Sequence, residues 1–286
     1  PNGYVHVCYD MHGDALNYAK SNNPLGAGWT PTLTTGLAML GTNEASMSYP
    51  RFFNDPAGNL HFTFRDGGAL AGDIYFYKYA HATTTWAAGA GTGAQGKLID
   101  GQSSGDTCYM LGEPRFDNDF GSGGFMHMAW QFAQDVAATG IDDVNYVKWD
   151  GANWKQAGGG AQATPITPGN AETVDTPATT LVARGALDSD SNGHPHLFYN
   201  KEDWAGRNQI YHVWHNGTAW SSIEPITRNT SDRGGSCQTV IRRSDDRIFV
   251  LVLTGLDANY RSAIFFTDNF TDWKRYYFSN TANSGG

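Results

Sequence analysis

Four residues of this chain are of types that bind acids or move protons: His12, Tyr49, Arg65 and Tyr109. A guanidinium meets a carboxylate through two parallel hydrogen bonds, and histidine and tyrosine are common general acids and bases. Together, such residues can hold an acidic group and transfer a proton beside it. Three of them also have a structural alternative. Tyr49 could be a packed aromatic, Arg65 could pair with a nearby aspartate, and His12 could lie in a solvated turn.

The elements that would position these residues come from one phrase that the chain repeats. Each copy is a turn, often rich in Gly or Asp, followed by a short alternating strand and then by a run that ends in Trp. Repeats roughly 55 to 70 residues apart, each with several strands, are typical of radial blades. The five copies begin at residues 2–10, 58–66, 123–130, 192–200 and 246–252. With long helices absent, the sequence predicts an all-β β-propeller, in which loops from every blade gather at one end.

The repeats run from end to end, so we expect residues 1–286 to form a single propeller domain that lacks the start of its first blade. Five repeats can close a five-bladed ring or form the middle of a larger one. Lys274–Phe278 is the one remaining strand-like segment after Trp273, and we expect it to supply a closing strand.

Composition narrows the class of protein. The 286 residues include 35 Gly, and only 16% are charged, as in a globular, turn-rich β protein. The net charge of −9 disfavours a nucleic-acid partner, whose phosphates need a basic surface. No apolar run approaches the ~20 residues of a membrane span. Cys8, Cys108 and Cys237 form no CxxC pair and are expected to be buried free thiols.

Other positions are assigned structural roles. His61, His127 and His196 lie within the repeated strands and are expected to make hydrogen bonds inside the blades. The glycine-rich segments 89–96 and 158–167 are predicted to be flexible surface loops.

Several local phrases resemble the BNR-4 group of propeller proteins, which includes the ulvan lyases. Their order and approximate spacing match over most of the chain, and the Tyr-Pro-Arg-Phe-Phe and Arg-Asp-Gly-Gly pair is the most specific. The phrases lie at residues 9–13 with 16–18, then at 49–53, 64–68, 98–101, 165–167 and 171–175.

The resemblance implies a propeller, usually of seven blades, and a lyase that cleaves a sulfated, uronate-containing polysaccharide such as ulvan by β-elimination. His12 is similar to a site histidine of the family, and Tyr49 and Arg65 resemble a family Tyr/Arg pair. Tyr109 resembles a later site tyrosine. In that chemistry Arg65 would neutralise the uronate carboxylate, while His12, Tyr49 and Tyr109 are the candidates for base and acid.

The chain departs from the family pattern in two places. A further histidine, which the family has roughly 20 residues before the position of His12, would fall before Pro1. The Asn-His-Asp phrase that helps the family to build a metal site is replaced here by residues 140–143, Gly-Ile-Asp-Asp. His127 with a distant Cys237 does not have zinc spacing, so a structural metal is unsupported and no cofactor is expected for catalysis.

Two other functions remain open. A sialidase-like glycoside hydrolase would need paired carboxylates or a Tyr/Glu nucleophile, and Glu44 lies close before Tyr49. A lectin-like propeller would need the same polar residues in every repeat, whereas the His, Tyr and Arg set is unequal between blades. We expect a monomer that is secreted or periplasmic in a bacterium, with an acidic polysaccharide as its partner.

Overall fold

The computed structural model describes residues 3–26, 32–68, 71–134, 143–176, 181–203, 205–227, 233–256 and 259–278. Trp29, the end of the first Trp-terminated run, lies outside these residues. The described strands form five antiparallel sheets. Among the described residues, no helix has the length and apolar character to span a bilayer. The chain divides into two compact units, of which the first contains residues 1–108, 151–154 and 162–171, and the second the remainder.

The first unit contains two sheets. The smaller has the strand order β1-β3-β4, and the larger has the order β2-β5-β6-β7-β8, with β9 also paired to β7. The strands are β1 (His6–Cys8), β2 (His12–Asp14), β3 (Tyr18–Ser21), β4 (Leu33–Thr34), β5 (Met47–Asn54), β6 (Leu60–Asp66), β7 (Asp73–Ala80), β8 (Thr85–Ala88) and β9 (Lys97–Ile99).

Strand β6 is the centre of the larger sheet, and its alternation separates two kinds of side chain. Phe62 and Phe64 are buried in an aromatic core with Tyr77 and Trp86. The intervening residues are polar but also buried, and Arg65 is the last of them, 1% exposed. Because successive side chains of a strand point to opposite faces, the apolar face anchors the strand while the other face carries Arg65.

The second unit contains the other three sheets. In one of them β12 lies between β11 and β13, and β13 also pairs with β15. The other two have the orders β16-β17-β18-β19 and β20-β21-β22-β23. The strands are β10 (Asp106–Met110), β11 (Arg115–Phe116), β12 (Met126–Gln134), β13 (Val144–Trp149), β14 (Trp154–Lys155), β15 (Glu172–Asp175), β16 (Leu181–Ser189), β17 (Pro195–Glu202), β18 (Asn208–Trp214), β19 (Glu224–Pro225), β20 (Arg233–Arg242), β21 (Arg247–Leu256), β22 (Asn259–Thr267) and β23 (Lys274–Tyr277). Strands β10 and β14 each begin in the first unit and continue into the second.

Apolar faces of successive sheets pack together in the second unit. Phe198 and Ile210 of one sheet share a cluster with Ile248, Val250 and Val252 of the next. The alternation of β21, with even-numbered residues buried there, is what the repeated phrase predicts for a strand packed against a neighbouring sheet.

Each of the five repeated strands lies in a different sheet, as β1, β6, β12, β17 and β21. The strand histidines make internal hydrogen bonds, which confirms their structural interpretation. His61 Nε2 lies 3.2 Å from Asp55 Oδ2, and His127 Nε2 lies 3.1 Å from Asp117 Oδ1. His196 Nδ1 bonds instead to His212 Nε2 at 3.0 Å.

One local prediction is wrong. Strand β23, expected to be a closing strand, pairs antiparallel with β22 and is the outer strand of its own sheet. Its backbone therefore completes the last sheet. Residues 89–96 include exposed positions, as expected of a surface loop, but Gly89 and Gly96 pack against the sheet, since a Cβ on either would overlap the rings of Phe76 and Tyr77.

The three cysteines are unpaired, which confirms the free-thiol prediction. Cys108 and Cys237 are buried as expected, whereas Cys8 is only half-buried.

Candidate active site

Three residues on adjacent strands of the larger sheet of the first unit lie in one row. His12 of β2 pairs with Ser48 of β5, and Ser48 pairs with Arg65 of β6. Neighbouring strands are about 4.8 Å apart, so the Cα atoms of the outer two residues are held about 10 Å from each other. The backbone ladder therefore fixes the distance between His12 and Arg65.

A β-bulge directly after Ser48 leaves Tyr49 without a paired residue on β6. The register between β5 and β6 shifts between Ser48 and Arg51, and Tyr49 has a positive φ of 54°. A tyrosine in this backbone region is uncommon and costs of order 1–3 kcal/mol. Bulges are over-represented beside active sites, where they redirect a side chain. The ring of Tyr49 is 43% exposed, although β5 is a sheet-interior strand.

The bulge brings the Tyr49 hydroxyl to His12. Its oxygen lies 3.1 Å from His12 Nε2, and the two rings meet edge to face with centroids 5.3 Å apart. His12 is itself exposed. A hydrogen-bonded imidazole and phenol at the surface can pass a proton between them and to a bound ligand.

Arg65 lies against the ring of Tyr49. Its guanidinium carbon is 4.7 Å from the centroid of the Tyr49 ring, and its Nη2 donates to the carbonyl oxygen of Gly68. The side chain is held between an aromatic face and a turn, so its position is set before any ligand binds. A positioned guanidinium is well suited to a carboxylate.

Glycines shape the turn that holds Arg65. Gly72 has a φ of +125°, and a Cβ there would lie 2.7 Å from Arg65 Cγ and 2.4 Å from the Asp66 carbonyl oxygen. A Cβ on Gly13, beside His12, would lie 2.9 Å from Gly68 Cα. Only glycine permits these approaches, which bring the backbone next to His12 against the turn that binds Arg65.

Two carboxylates lie close to Arg65 in the sequence: Asp73 forms an ion pair with a lysine, and Asp66 has a raised pKa. Asp73 accepts a hydrogen bond from Lys97 Nζ at 2.7 Å. Burial, together with the negative charge of Asp73, raises the pKa of Asp66. The ion pair of Asp73 with Lys97 does not favour the alternative in which Asp73 is the partner of Arg65.

Tyr109 directly follows Cys108, whose backbone N–H donates to the Gly72 carbonyl oxygen at 3.1 Å. Tyr109 is half-buried on β10 and belongs to the second unit, whereas His12, Tyr49 and Arg65 belong to the first. The structure thus brings three of the four predicted residues together, and the participation of Tyr109 stays a prediction.

The carboxylate of Glu44 holds a loop. Its Oε1 accepts backbone N–H groups of Met39, Leu40 and Gly41 at 2.7–3.0 Å. Three such bonds are typical of a structural carboxylate that stabilises a turn. This bonding does not favour Glu44 as the partner of a tyrosine nucleophile.

No cluster of three or more His, Cys, Asp or Glu suited to a metal ion occurs in the part of the chain that the structure describes.

Sequence reasoning missed Ser48, which is fully buried and donates to the Gly67 carbonyl oxygen at 2.7 Å. That bond ties β5 to the turn after Arg65. The only signal in the sequence was its position directly before Tyr49, and its partner is nineteen residues away.

Known structures share this architecture. A PL25 ulvan lyase, solved bound to -[GlcA(1-4)Rha3S]-, matches with a TM-score of 0.73 at 16% identity, over 96% of this chain and 67% of that chain. The polysaccharide lyase Uly1 matches with a TM-score of 0.70 at 16% identity, over 98% and 67%. An N-acetylgalactosamine deacetylase from F. plautii matches with a TM-score of 0.50 at 9% identity, over 81% and 69%. No match was found among curated protein sequences.

These likenesses confirm the fold class, an all-β β-propeller. A family model described as "BNR repeat-containing family member" matches residues 1–227, which is well over half of the sequence. The chain therefore belongs to the BNR repeat-containing family.

Proposed function

We propose that this protein is a polysaccharide lyase that cleaves a uronate-containing, sulfated polysaccharide by β-elimination. The single observation that carries the proposal is the contact set around Tyr49, whose hydroxyl meets His12 Nε2 at 3.1 Å while Arg65 stacks on its ring at 4.7 Å. A proton-transfer pair thus lies directly beside a fixed cation. The ulvan lyase with a bound uronate-containing saccharide supports this substrate class by its likeness of fold.

The first requirement of the reaction is to make the C5 proton of the uronate acidic. The proton is hard to remove while the adjacent carboxylate carries its charge, because the developing enolate would add a second negative charge. Arg65 would bind the carboxylate and stabilise that enolate. Its burial strengthens the effect, since electrostatic interactions are larger where water is excluded.

The second requirement is proton transfer at two positions. A base takes the C5 proton, the C4–O bond breaks with its electron pair on the leaving oxygen, and an acid protonates that oxygen. A C4=C5 double bond remains in the new uronate end. His12 and Tyr49 are the candidates for these roles, with Tyr109 as a further candidate, and their hydrogen bond lets either group return the proton to the other.

The test uses the chromophore that elimination creates. The protein is incubated with ulvan, and ultraviolet absorbance is followed together with reducing ends. Growth of both signals in parallel is expected. Reducing ends that form without absorbance would instead identify a hydrolase, and tight binding with neither signal would identify a carbohydrate-binding propeller.

A further inference from the structure

A polar cavity lies within the second unit, and none of its lining residues belongs to the candidate active site. Its volume is about 630 Å³, and it is lined by the turns that precede β12 and β17 and by the hairpin that follows β18. This volume lies within the roughly 300–1,000 Å³ of small-ligand sites.

The cavity contains a half-buried ammonium group. Lys148 Nζ donates to the Ala157 carbonyl oxygen at 2.7 Å and lies 4.3 Å from the centroid of the Phe125 ring. Among the described residues, no carboxylate forms an ion pair with it. An ammonium group has three donors, so this environment leaves hydrogen-bonding capacity for a ligand. Burial lowers the pKa of Lys148, and the negative charges of Glu172 and Asp117 offset only part of that effect.

The two buried carboxylates of the same cavity, Asp117 and Asp190, are already engaged, whereas Asp119 lines the cavity from an exposed position. Asp117 accepts from His127 Nε2 at 3.1 Å, from Ser189 Oγ at 2.6 Å and from the Phe125 backbone N–H at 2.9 Å. Burial by itself would raise the pKa of Asp117, but these bonds and the charge of His127 lower it to about 2. Asp117 is thus engaged in hydrogen bonds, and its charge acts on Lys148 without an ion pair between the two groups.

The carboxylate of Asp190 also accepts hydrogen bonds from groups of the protein. Its Oδ1 accepts the backbone N–H groups of Asn192 and His194, and its Oδ2 lies 3.3 Å from His194 Nδ1. The buried acids of the cavity are therefore bonded to donors of the protein, whereas Lys148 lies near carboxylates but is in an ion pair with none of those that the structure describes.

A histidine adds a neutral donor. His215 is 3% exposed and lines the cavity, and its Nδ1 accepts the backbone N–H of Gly217 at 3.1 Å. In the neutral ring, that bond assigns the remaining proton to Nε2. A Cβ on Gly217 would lie 2.9 Å from His194 Nε2, so glycine lets the hairpin close over this wall.

We propose that this cavity binds an oxyanion, a carboxylate or a sulfate, carried on a ligand about the size of one or two sugar rings, with Lys148 as the charged contact. The proposal does not depend on the lyase reaction, because all of the residues that carry it belong to the second unit. It predicts a binding site that operates without turnover.

Calorimetric titration with three small probes tests the charge requirement. Sodium sulfate supplies the anion alone, glucuronate supplies a carboxylate on a sugar, and glucose is the same ring without the charge. Glucuronate is expected to bind at least about 10-fold more tightly than glucose, since a hydrogen bond to a charged group contributes roughly 1.5–3 kcal/mol. Equal affinity for glucose and glucuronate, or no binding of either anion, would overturn the proposal. Binding of glucuronate without sulfate, or the reverse, identifies which oxyanion fits.

Two lysines provide a matched pair of variants. Lys148→Met removes the charge and keeps the aliphatic stem, and is expected to weaken glucuronate binding by at least about 10-fold. Lys155→Met is the control, because Lys155 pairs with Asp150 at 2.9 Å and lies 5.7 Å from the same Phe125 ring. Equal loss in both variants, or none in Lys148→Met, contradicts the assignment. If the Lys148→Met variant does not fold, Lys148→Gln removes the charge in its place and is tested in the same titration.

Binding of the probes in the cavity is distinguished from binding at the candidate active site by repeating the titrations with an Arg65→Ala variant. The site that depends on Lys148 is expected to persist there. Its disappearance with Arg65, while Lys148→Met binds normally, would place all anion binding at the other site and overturn the proposal.

Discussion

The guanidinium of Arg65 lies against the face of the Tyr49 ring, with its central carbon 4.7 Å from the ring centroid. Each side chain limits the movement of the other, because Tyr49 is fixed by a bulge and Arg65 is bound to the Gly68 carbonyl oxygen. The positions of Arg65 and Tyr49 therefore depend on each other. A substitution at one residue can displace the other, so variants must be designed to separate their contributions.

Arg65→Ala is expected to lower kcat on ulvan by at least about 100-fold, since loss of one key electrostatic donor typically has that effect. Arg65→Lys keeps a positive charge but loses the planar fork, and is expected to recover only part of the rate. The elimination rate is measured by ultraviolet absorbance, with thermal melting as the folding control. An Arg65→Ala protein that melts normally and cleaves at the wild-type rate would exclude the proposed role.

Tyr49→Phe keeps the ring that supports Arg65 and removes only the hydroxyl that meets His12. We expect kcat to fall by about 10²–10⁴-fold, the usual contribution of a proton-transfer group, with little change in melting temperature. Tyr276→Phe is a matched control, because this tyrosine is 65% exposed on the last strand of the second unit. Undiminished activity in Tyr49→Phe would show that the hydroxyl is not the acid or the base.

Gly72→Ala tests the turn that holds Arg65. The added Cβ would overlap Arg65 Cγ and the Asp66 carbonyl oxygen, in a backbone conformation that alanine rarely adopts. Both the elimination rate and the melting temperature are expected to fall. Gly36→Ala is the control, since Gly36 also has positive φ, +67°, but nothing lies within 4 Å of its added Cβ. Similar losses in the two variants would mean that backbone strain, rather than displacement of Arg65, is responsible.

A pair of buried histidines predicts acid sensitivity of the fold. His196 and His212 share a hydrogen bond of 3.0 Å, and burial lowers the pKa of both from the usual 6.5. Below about pH 6.5 the unfolded chain takes up protons that the folded chain does not, so the free energy of unfolding falls as pH decreases. Each such histidine contributes a slope of about 1.4 kcal/mol per pH unit.

His212→Phe keeps the ring that stacks on Phe198 at 4.6 Å but cannot titrate. The free energy of unfolding, measured by urea titration at several pH values, should then depend on pH less steeply, by about 1.4 kcal/mol per pH unit. An unchanged slope would mean that these histidines take up protons in the folded protein.

The sequence predicted the strands well where the signal was local. The alternating segment 58–66 matches β6, Leu60–Asp66, and Gly-rich turns marked its ends. It did not predict that β2, in the first repeat, would join the sheet of the second repeat, because that pairing joins His12 to Ser48 over thirty-six residues. The sequence also did not predict the positive φ of Tyr49, since tyrosine has no local preference for that backbone conformation.

The candidate site was also predictable only where the signal was local. His12, Tyr49 and Arg65 were identified from residue types and family phrases, and the structure brings these three together. Ser48 and Gly72 act through contacts that only the folded backbone creates.

The bulge at Tyr49 has a consequence for the evolution of this family. Two residues, Tyr49 and Pro50, lie between the paired residues Ser48 and Arg51, so the spacing is set by the length of the segment and not by side-chain chemistry. Loss of a single codon there would close the ladder and turn the tyrosine toward the other face. If the proposed function holds, a relative shortened there would retain His12, Tyr49 and Arg65 but lose the contact between the first two, so the length of this segment must be compared as well as its residues.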